Sequence, residues 1–538
     1  MLKSISYILS FFFTILIFSH LSCSKKESVF GNPPALSLDS IVTVTAEKVI
    51  FYGNLVWPET NSGLIRKGFL ISEEKDIELN GYGVKEIETN ADSASVYVDK
   101  YRKYFVRMYC ETSAGVYYSE EKSFKAFKKG LYFTCLGGSG EDDANQICVA
   151  HDGGYVIAGV TSSDDGDIAH NFGKKDFWFV KIDQDGMVVW SETYGGNGDD
   201  IATDVCQSSD GGYFISGSSN STDDLTQTNK GGSDYRIVKI DVNGQMIWQK
   251  LFGGSADDIA TSVAATDDDG CIVAGYSASS DGDISRNHGL NDCWIIRLSS
   301  NGEMVWQRMI GGSKNDEAYT VKLTSDKYFI IAGTTESDNG DITTTPQEKD
   351  GWIIKIDEGG EIMWRNTVGE GFNDMFYDVI SADDGGYIAV GVSYRDYNEK
   401  EQSGNSDFFV VKFASTGSVE WSSRFGSSGE DVATRVVQNN DGNYMVCGNA
   451  ANKDQDVRDL YGNRDIWLIE VGESGDLRRS NNYGGTNFDT ASGIVLSDRG
   501  YIVTGTTYSG DEHGAFNHRS GSADIIVLSM DNYKTFGN

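Results

Sequence analysis

The chain repeats itself about every 58 residues, and this period restricts its possible folds more than any other feature. Copies open at Gly137, Gly195, Gly253, Gly311, Gly369, Gly426 and Gly484, at spacings of 58, 58, 58, 58, 57 and 58 residues. A fixed period of this size is the mark of a solenoid, a propeller or another array of one supersecondary unit. Each copy holds four short apolar runs separated by Gly, Asp and Asn turns. In the first copy they are ANQICVA, GYVIAGVTS, FWFVKID and MVVWSETY. Alternation is plain in the third run and its equivalents, such as YRIVKID and FFVVKFA. No copy carries a 3.6-residue pattern long enough for a helix. Four antiparallel strands per unit, repeated seven times, predict a β-propeller.

The ends of the repeat region predict closure. The seventh copy stops after its third run, DIIVLSM, and a fourth-run equivalent stands instead before the first copy, as LYFTCLGG at 131–138. Aligned on VWSETYGG at 189–196, it places Tyr132 where Trp190 falls. A strand from this segment would complete the last blade and remove two exposed sheet edges. The expected fold is all-β, a seven-bladed propeller closed by an N-terminal strand.

Four kinds of position recur. The first is the Asp of GGxxxD: Asp142, Asp200, Asp258, Asp316, Asp374, Asp431 and Asp489. The second is the Gly after the second run, Gly159 and its six equivalents. The third is the Asp opening the third run: Asp176, Asp234, Asp292, Asp350, Asp407, Asp465 and Asp524. The fourth is an aromatic after the third turn: Trp190, Trp248, Trp306, Trp364 and Trp421, replaced by Arg479 in the sixth copy. These residue types have structural uses. Carboxylates accept backbone N–H bonds in turns, Gly allows close backbone approach or a bulge, and Trp fills space between neighbouring blades. Repeats share their scaffold, so a site is expected where the repeat is broken.

The segments GGSGEDDANQICVAHDGGYVIAGVTSS and TYGGNGDDIATDVCQSSDGGYFISGSSNS resemble the bacterial β-propeller repeat family, with its GGxGxDxA…DxxGxxxVxGxT pattern. The KIDxxGxxxW turns are similar to the Trp-docking segments of PQQ-like propellers, a likeness that implies scaffold and no quinone site. The resemblance spans roughly 131–538 and implies a fold. It implies no one activity, because propellers host many.

Upstream of the repeats lie three further segments. Residues 1–22 have the form of a signal peptide: one Lys, then an apolar run from Ile5 to Phe18, too short for a comfortable membrane span. Cys23 follows directly, as at a bacterial lipoprotein cleavage site, so lipidation of Cys23 is expected, with 23–30 as a polar tether. Residues 31–127 read as short alternating strands, an all-β sandwich. Within it YFVRMYCETSAGVYYSEEKSF resembles the last two strands of fibronectin type III-like domains. The resemblance implies the fold, and the expected role is a spacer rather than ligand binding, because module composition alone carries no site.

Charge separates the two halves. The first 130 residues carry 16 Lys and Arg against 15 Asp and Glu, and the remainder carries 29 against 65. So acidic a propeller argues against nucleic acid and against direct docking onto anionic lipid. Contact with the membrane is expected through the lipid anchor only, and the protein is expected to act as a monomer. Of eight Cys, seven follow Cys23, most at apolar strand positions, where buried thiols are expected rather than disulfides. The sequence shows no HExxH, GxSxG or CxxC pattern.

The candidate ligand positions lie in the long loops between the second and third runs. SDDGDI (163–168), SDGDI (280–284) and SDNGDI (337–342) supply Asp164, Asp165, Asp167, Asp281, Asp283, Asp338 and Asp341. Oxygen ligands of this kind suit Ca²⁺, although no complete Ca²⁺ loop pattern is present. Copies five to seven vary most in these loops and add the aromatics Tyr394, Tyr397, Tyr461 and Phe516. The expected role is non-catalytic binding of a protein or glycan ligand by an outer-membrane lipoprotein of the cell envelope. A glycan-active propeller enzyme and an outer-membrane assembly scaffold are the alternatives.

Overall fold

The computed structural model describes most of the chain from Ala35 to Asp531. Outside the description lie 1–34, 46–47, 57–63, 76, 82–83, 90, 92, 98–102, 126–130, 185, 224–227, 343–345, 347, 370–372, 399–402, 499, 510–522 and 532–538. The side chains of Tyr132 and Tyr397 are also outside it, as are Cys23 and Phe516 altogether. Among the described residues no helix is long and apolar enough to cross a membrane.

The chain divides into two compact units, Met1–Leu131 and Tyr132–Asn538. The first is all-β. A three-stranded sheet runs in the order Ala35–Thr45, Lys48–Val56, Ser93–Tyr97. A five-stranded sheet is built around Leu64–Ser72 and Lys103–Thr112. Phe51 and Val96 from the first sheet share one core with Phe69, Val106 and Met108 from the second. Alternation in KVIFYGNLV and KYFVRMYCE supplies that core, since every second residue of a strand faces the same way.

The second unit contains, among the described residues, seven four-stranded antiparallel sheets. In the first six the strands follow sequence order, as in Asp142–Val149, Tyr155–Thr161, Asp176–Ile182 and Val188–Tyr194. This is the arrangement of a β-propeller. The two middle strands of the first sheet are buried along their whole length, and the fourth is exposed to half-buried. Apolar clusters join neighbouring sheets. Phe177 and Phe179 of the first pack with Ala202 and Val205 of the second. Cys293 and Ile295 of the third pack with Ala318 and Val321 of the fourth.

The last sheet is closed from upstream. Its order is Asp489–Ser497, Gly500–Thr507, Asp524–Asp531, then Leu131–Leu136 as the fourth strand. Leu136, Ile525 and Val527 of this sheet share a core with Ala144 and Ile147 of the first. Residues far apart in sequence thus meet at the junction of the last sheet and the first.

One expectation needs correction. SYRDYNEKEQSGNS in the fifth copy reads as a variable loop. The structure instead extends the two middle strands to Tyr387–Asn398 and Ser403–Phe413, pairing Tyr394 with Ser406 and Tyr397 with Gly404. Polarity in a sequence stretch gives no sign of such pairing where neither face of a strand must be buried.

Candidate functional site

The recurrent residues explain how each sheet is held. Asp142 is fully buried, and its Oδ2 accepts Gly138 N–H at 2.7 Å and Ser163 O–H at 2.8 Å. Asp200, Asp258, Asp316, Asp431 and Asp489 take the same amide, at Gly196, Gly254, Gly312, Ser427 and Gly485. The Asp that opens the third strand holds the end of the long loop: Asp234 accepts Lys230 N–H at 2.8 Å and Asp292 accepts His288 N–H at 2.6 Å. Trp190, Trp248, Trp306 and Trp421 each donate Nε1–H to a turn carbonyl of the next sheet, at 2.9–3.1 Å. The break at Arg479 is compensated locally. The buried Lys of the third strand, Lys181 in the first copy, is Glu470 in the sixth, and Arg479 Nε lies 3.2 Å from it.

Most carboxylates of the acidic loops are occupied by backbone amides of the neighbouring GGxxxD loops. Asp165 Oδ1 accepts Ser139 N–H at 2.6 Å and Asp167 Oδ2 accepts Gly137 N–H at 3.1 Å. Asp281 and Asp283 do the same for Ser255 and Gly253, at 2.7 and 3.0 Å. Asp341 takes Gly311 N–H at 3.3 Å. Asp164 accepts Asn171 N–H at 3.1 Å, with His170 Nδ1 3.4 Å away, and Asp338 accepts from Asn339. Asp223, Asp454 and Asp456 play the same part in the second and sixth copies and were not among the expected residues. Among the described residues no group of three or more His, Cys, Asp or Glu could hold a metal ion. The carboxylates expected to gather around Ca²⁺ are spread over separate turns, and Asp165, Asp167, Asp281, Asp283 and Asp341 each tie the long loop to the GGxxxD loop beside it. Tyr394 is half-buried on a strand of the fifth sheet, and Tyr461 is exposed in a loop of the sixth copy.

The structure instead brings seven other residues together. Every innermost strand carries a bulge three residues after the GGxxxD Asp, as between Ala144 and Gln146 or Ala202 and Asp204. A bulge re-aims one side chain. The seven bulged residues are Asn145, Thr203, Thr261, Tyr319, Tyr377, Thr434 and Ser492, and all seven line one cavity of about 430 Å³. The Gly after the second run lies opposite. A Cβ on Gly217 would come within 2.0 Å of Ile201 O, and one on Gly333 within 1.9 Å of Glu317 O. That Gly recurs because the bulged strand leaves no room for a side chain across from it.

Four of the seven residues bridge to the next sheet in one way. Asn145 Nδ2 donates to Ala202 O at 2.6 Å. Thr203, Thr261 and Thr434 donate Oγ1–H to Ala260, Ala318 and Ala491 O, each at 2.9 Å. Tyr319 and Tyr377 break the pattern. Their rings lie against each other, centroids 5.3 Å apart and tilted by 47°. Tyr319 donates its hydroxyl to Glu317 at 2.6 Å. Burial raises both phenols, Tyr377 to about 12, so they stay protonated donors. Arg435 joins the lining, donating Nη1–H to Thr434 O at 2.8 Å, and its buried Nε has no partner among the described residues. None of the twelve lining residues is acidic. The signal in the sequence is the residue three positions after the recurrent GGxxxD Asp, which changes from copy to copy between recurrent scaffold positions.

No family model matches the chain. Among curated proteins it is 25% identical over 225 residues to the regulatory protein FlaEY of Caulobacter vibrioides, a match covering 38% of this chain and 23% of that protein. The chain thus spans about a quarter of that relative's length. Among solved structures it is similar to the Pan2 WD40 domain of Neurospora crassa, with 13% identity and a TM-score of 0.40, covering 76% of this chain and 98% of that one. It is similar to the extracellular domain of the one-component system BT4673 of B. thetaiotaomicron, with 9% identity and a TM-score of 0.39, covering 92% and 52%. None of these likenesses bears on what the chain binds.

Proposed function

We propose that the chain is an envelope lipoprotein whose seven-bladed propeller is a non-catalytic binding module for a protein or glycan ligand. A fibronectin type III-like spacer carries the propeller, and the lipid on Cys23 holds it to the outer membrane. The strand orders of the two sheets in the first unit support the fibronectin type III-like reading. The observation that carries the binding reading is the cavity: one position per sheet, each aimed inward by a bulge, with chemistry that changes while its scaffold stays constant. Its lining is hydroxyl, amide and aromatic, the composition of a recognition surface, and offers no pair of carboxylates for acid–base work.

The test uses the full chain and two variants. Ser492→Trp should fill the cavity and weaken retention of an envelope ligand at least tenfold with an unchanged melting temperature. Asn at Asp164, Asp165, Asp167, Asp281 and Asp283 should leave retention intact and lower the melting temperature, because loop closures are weakened. The opposite pattern would move the site to the acidic loops. A Ca²⁺-dependent rise in melting temperature, seen in the parent and lost in the Asn variant, would restore those loops as a metal site. For the anchor, Cys23→Ala should shift the protein from the membrane fraction to the soluble one, and unchanged partition sinks that part of the reading.

A further inference from the structure

We infer that the cavity takes an uncharged oligosaccharide and that the Tyr319–Tyr377 pair is its sugar-stacking platform. This rests on the reading of the cavity as the binding site. Three observations select the ligand class. First, the repeat is broken by aromatic residues at one place, whereas Ser492, which bonds Thr504 O within its own sheet, keeps a small hydroxyl. Where Asn145, Thr203, Thr261 and Thr434 bridge to the neighbouring sheet, Tyr319 and Tyr377 make no such bond, and two adjacent sheets present aromatic rings instead. Scaffold positions that break the repeat are where asymmetry, and so a site, can reside.

Second, the charge balance argues against ions. No lining residue is acidic, and the Glu317 carboxylate beside the pair already accepts the Tyr319 hydroxyl at 2.6 Å. An anion must approach a propeller region that carries 65 Asp and Glu against 29 Lys and Arg, and it meets one Arg in the lining, Arg435, already donating to Thr434 O. A neutral polyhydroxylated ligand is penalised by neither. Third, the polar groups around the pair suit sugar hydroxyls. Tyr319 donates its hydroxyl hydrogen to Glu317 and Tyr377 donates to Met375 Sδ, so both phenol oxygens can accept, as can the amide oxygen of Asn145 and the Thr oxygens. An aromatic surface ringed by a few placed donors and acceptors gives both packing and orientation. A volume of about 430 Å³ lies within the range of small-ligand sites.

The probes are cellotriose, maltotriose and mannotriose, with trigalacturonate as the charged control, titrated into the full chain by calorimetry. At least one neutral trisaccharide should bind, and trigalacturonate should bind at least tenfold more weakly. Tyr319→Ala and Tyr377→Ala should each weaken the neutral ligand at least tenfold. Tyr319→Phe and Tyr377→Phe, which keep the rings, should lose no more than a few-fold. Melting temperatures of all four variants guard against misfolding. Equal affinity in the Ala and parent proteins overturns the platform, and preference for trigalacturonate overturns the neutral class. If no trisaccharide binds while Ser492→Trp still abolishes retention of the envelope ligand, this inference fails and the binding reading stands. If Ser492→Trp has no effect either, both fail.

Discussion

Leu136→Asp should destabilise the propeller by about 4 kcal/mol or more, because it places an unpaired charge in a dry core. Leu136 is 1% exposed and packs with residues of both the last sheet and the first. It belongs to the strand Leu131–Leu136 that completes the last sheet. Removing 131–136 should be worse still. It exposes the backbone edge of Asp524–Asp531 and opens the junction where the two ends of the repeat region meet, so aggregation is expected as well as a lower melting temperature. Leu136→Ala should cost less, about 2–4 kcal/mol, as a cavity without a buried charge. Denaturant unfolding and light scattering read all three. A truncated chain that stays monomeric with the parent melting temperature would show that the upstream strand is dispensable.

The second large effect is an unusual pH profile. Burial pushes Asp176, Asp234, Asp292, Asp350 and Asp465 up to about 6, and in each case a second Asp, on the next sheet, adds to the shift. Geometry gives the cause. A Cβ on Gly253 would stand 2.1 Å from an Asp234 oxygen and 2.7 Å from an Asp258 oxygen, so two buried carboxyls crowd one glycine at the junction between sheets. Oδ1 of Asp176, Asp234, Asp292 and Asp465 has no hydrogen-bond partner among the described residues. Such pairs hold protons more tightly folded than unfolded. A raised folded pKa means that the stabilisation is complete below about 4 and is lost as pH rises through about 6. The opposite sign holds for Asp210, lowered to about 2 by Ser208 and the buried Lys239, and for Asp152, Asp268, Asp326 and Asp384, each lowered beside a Lys or Arg. Their contribution is present above about 4 and is lost as pH falls toward 2.

Stability should therefore peak near pH 4–5 and decline toward pH 7, by on the order of 1 kcal/mol or more per raised carboxyl. Asp234→Asn and Asp465→Asn mimic the protonated acid. Each should raise the melting temperature at pH 7 and flatten its fall between pH 5 and pH 7. Greater stability at pH 7 than at pH 5 in the parent protein would contradict the shared burial of these acids.

Much of this molecule was legible before any coordinate. The 58-residue period, the four alternating runs and the displaced fourth run at 131–136 all express local rules. Turn residues mark where strands end, and a period of two marks which face is buried. The structural reading of the GGxxxD and third-strand Asp residues follows from the same rules, since a carboxylate in a tight turn accepts backbone N–H bonds. The candidate site was less legible. Acidic loops look like a cation site in one dimension because sequence shows how many carboxylates a loop has. It does not show that Asp165 and Asp167 are already bound to amides 26 and 30 residues upstream. The paired strands at Tyr394–Ser406 look like a loop in sequence because their pairing depends on the partner strand and leaves no mark in polarity.

The period and alternation determined by themselves that the chain builds seven like units of four strands, with a strand from upstream completing the last. Only the tertiary structure decided where a ligand could lie. Asn145, Thr203, Thr261, Tyr319, Tyr377, Thr434 and Ser492 stand about 58 residues apart and share no single chemistry. They meet because a bulge in each innermost strand turns the same position inward, and because the sheets pack side by side so that seven distant positions face one cavity. Convergence of that kind comes from the closing of the array, a long-range packing event that no local pattern encodes.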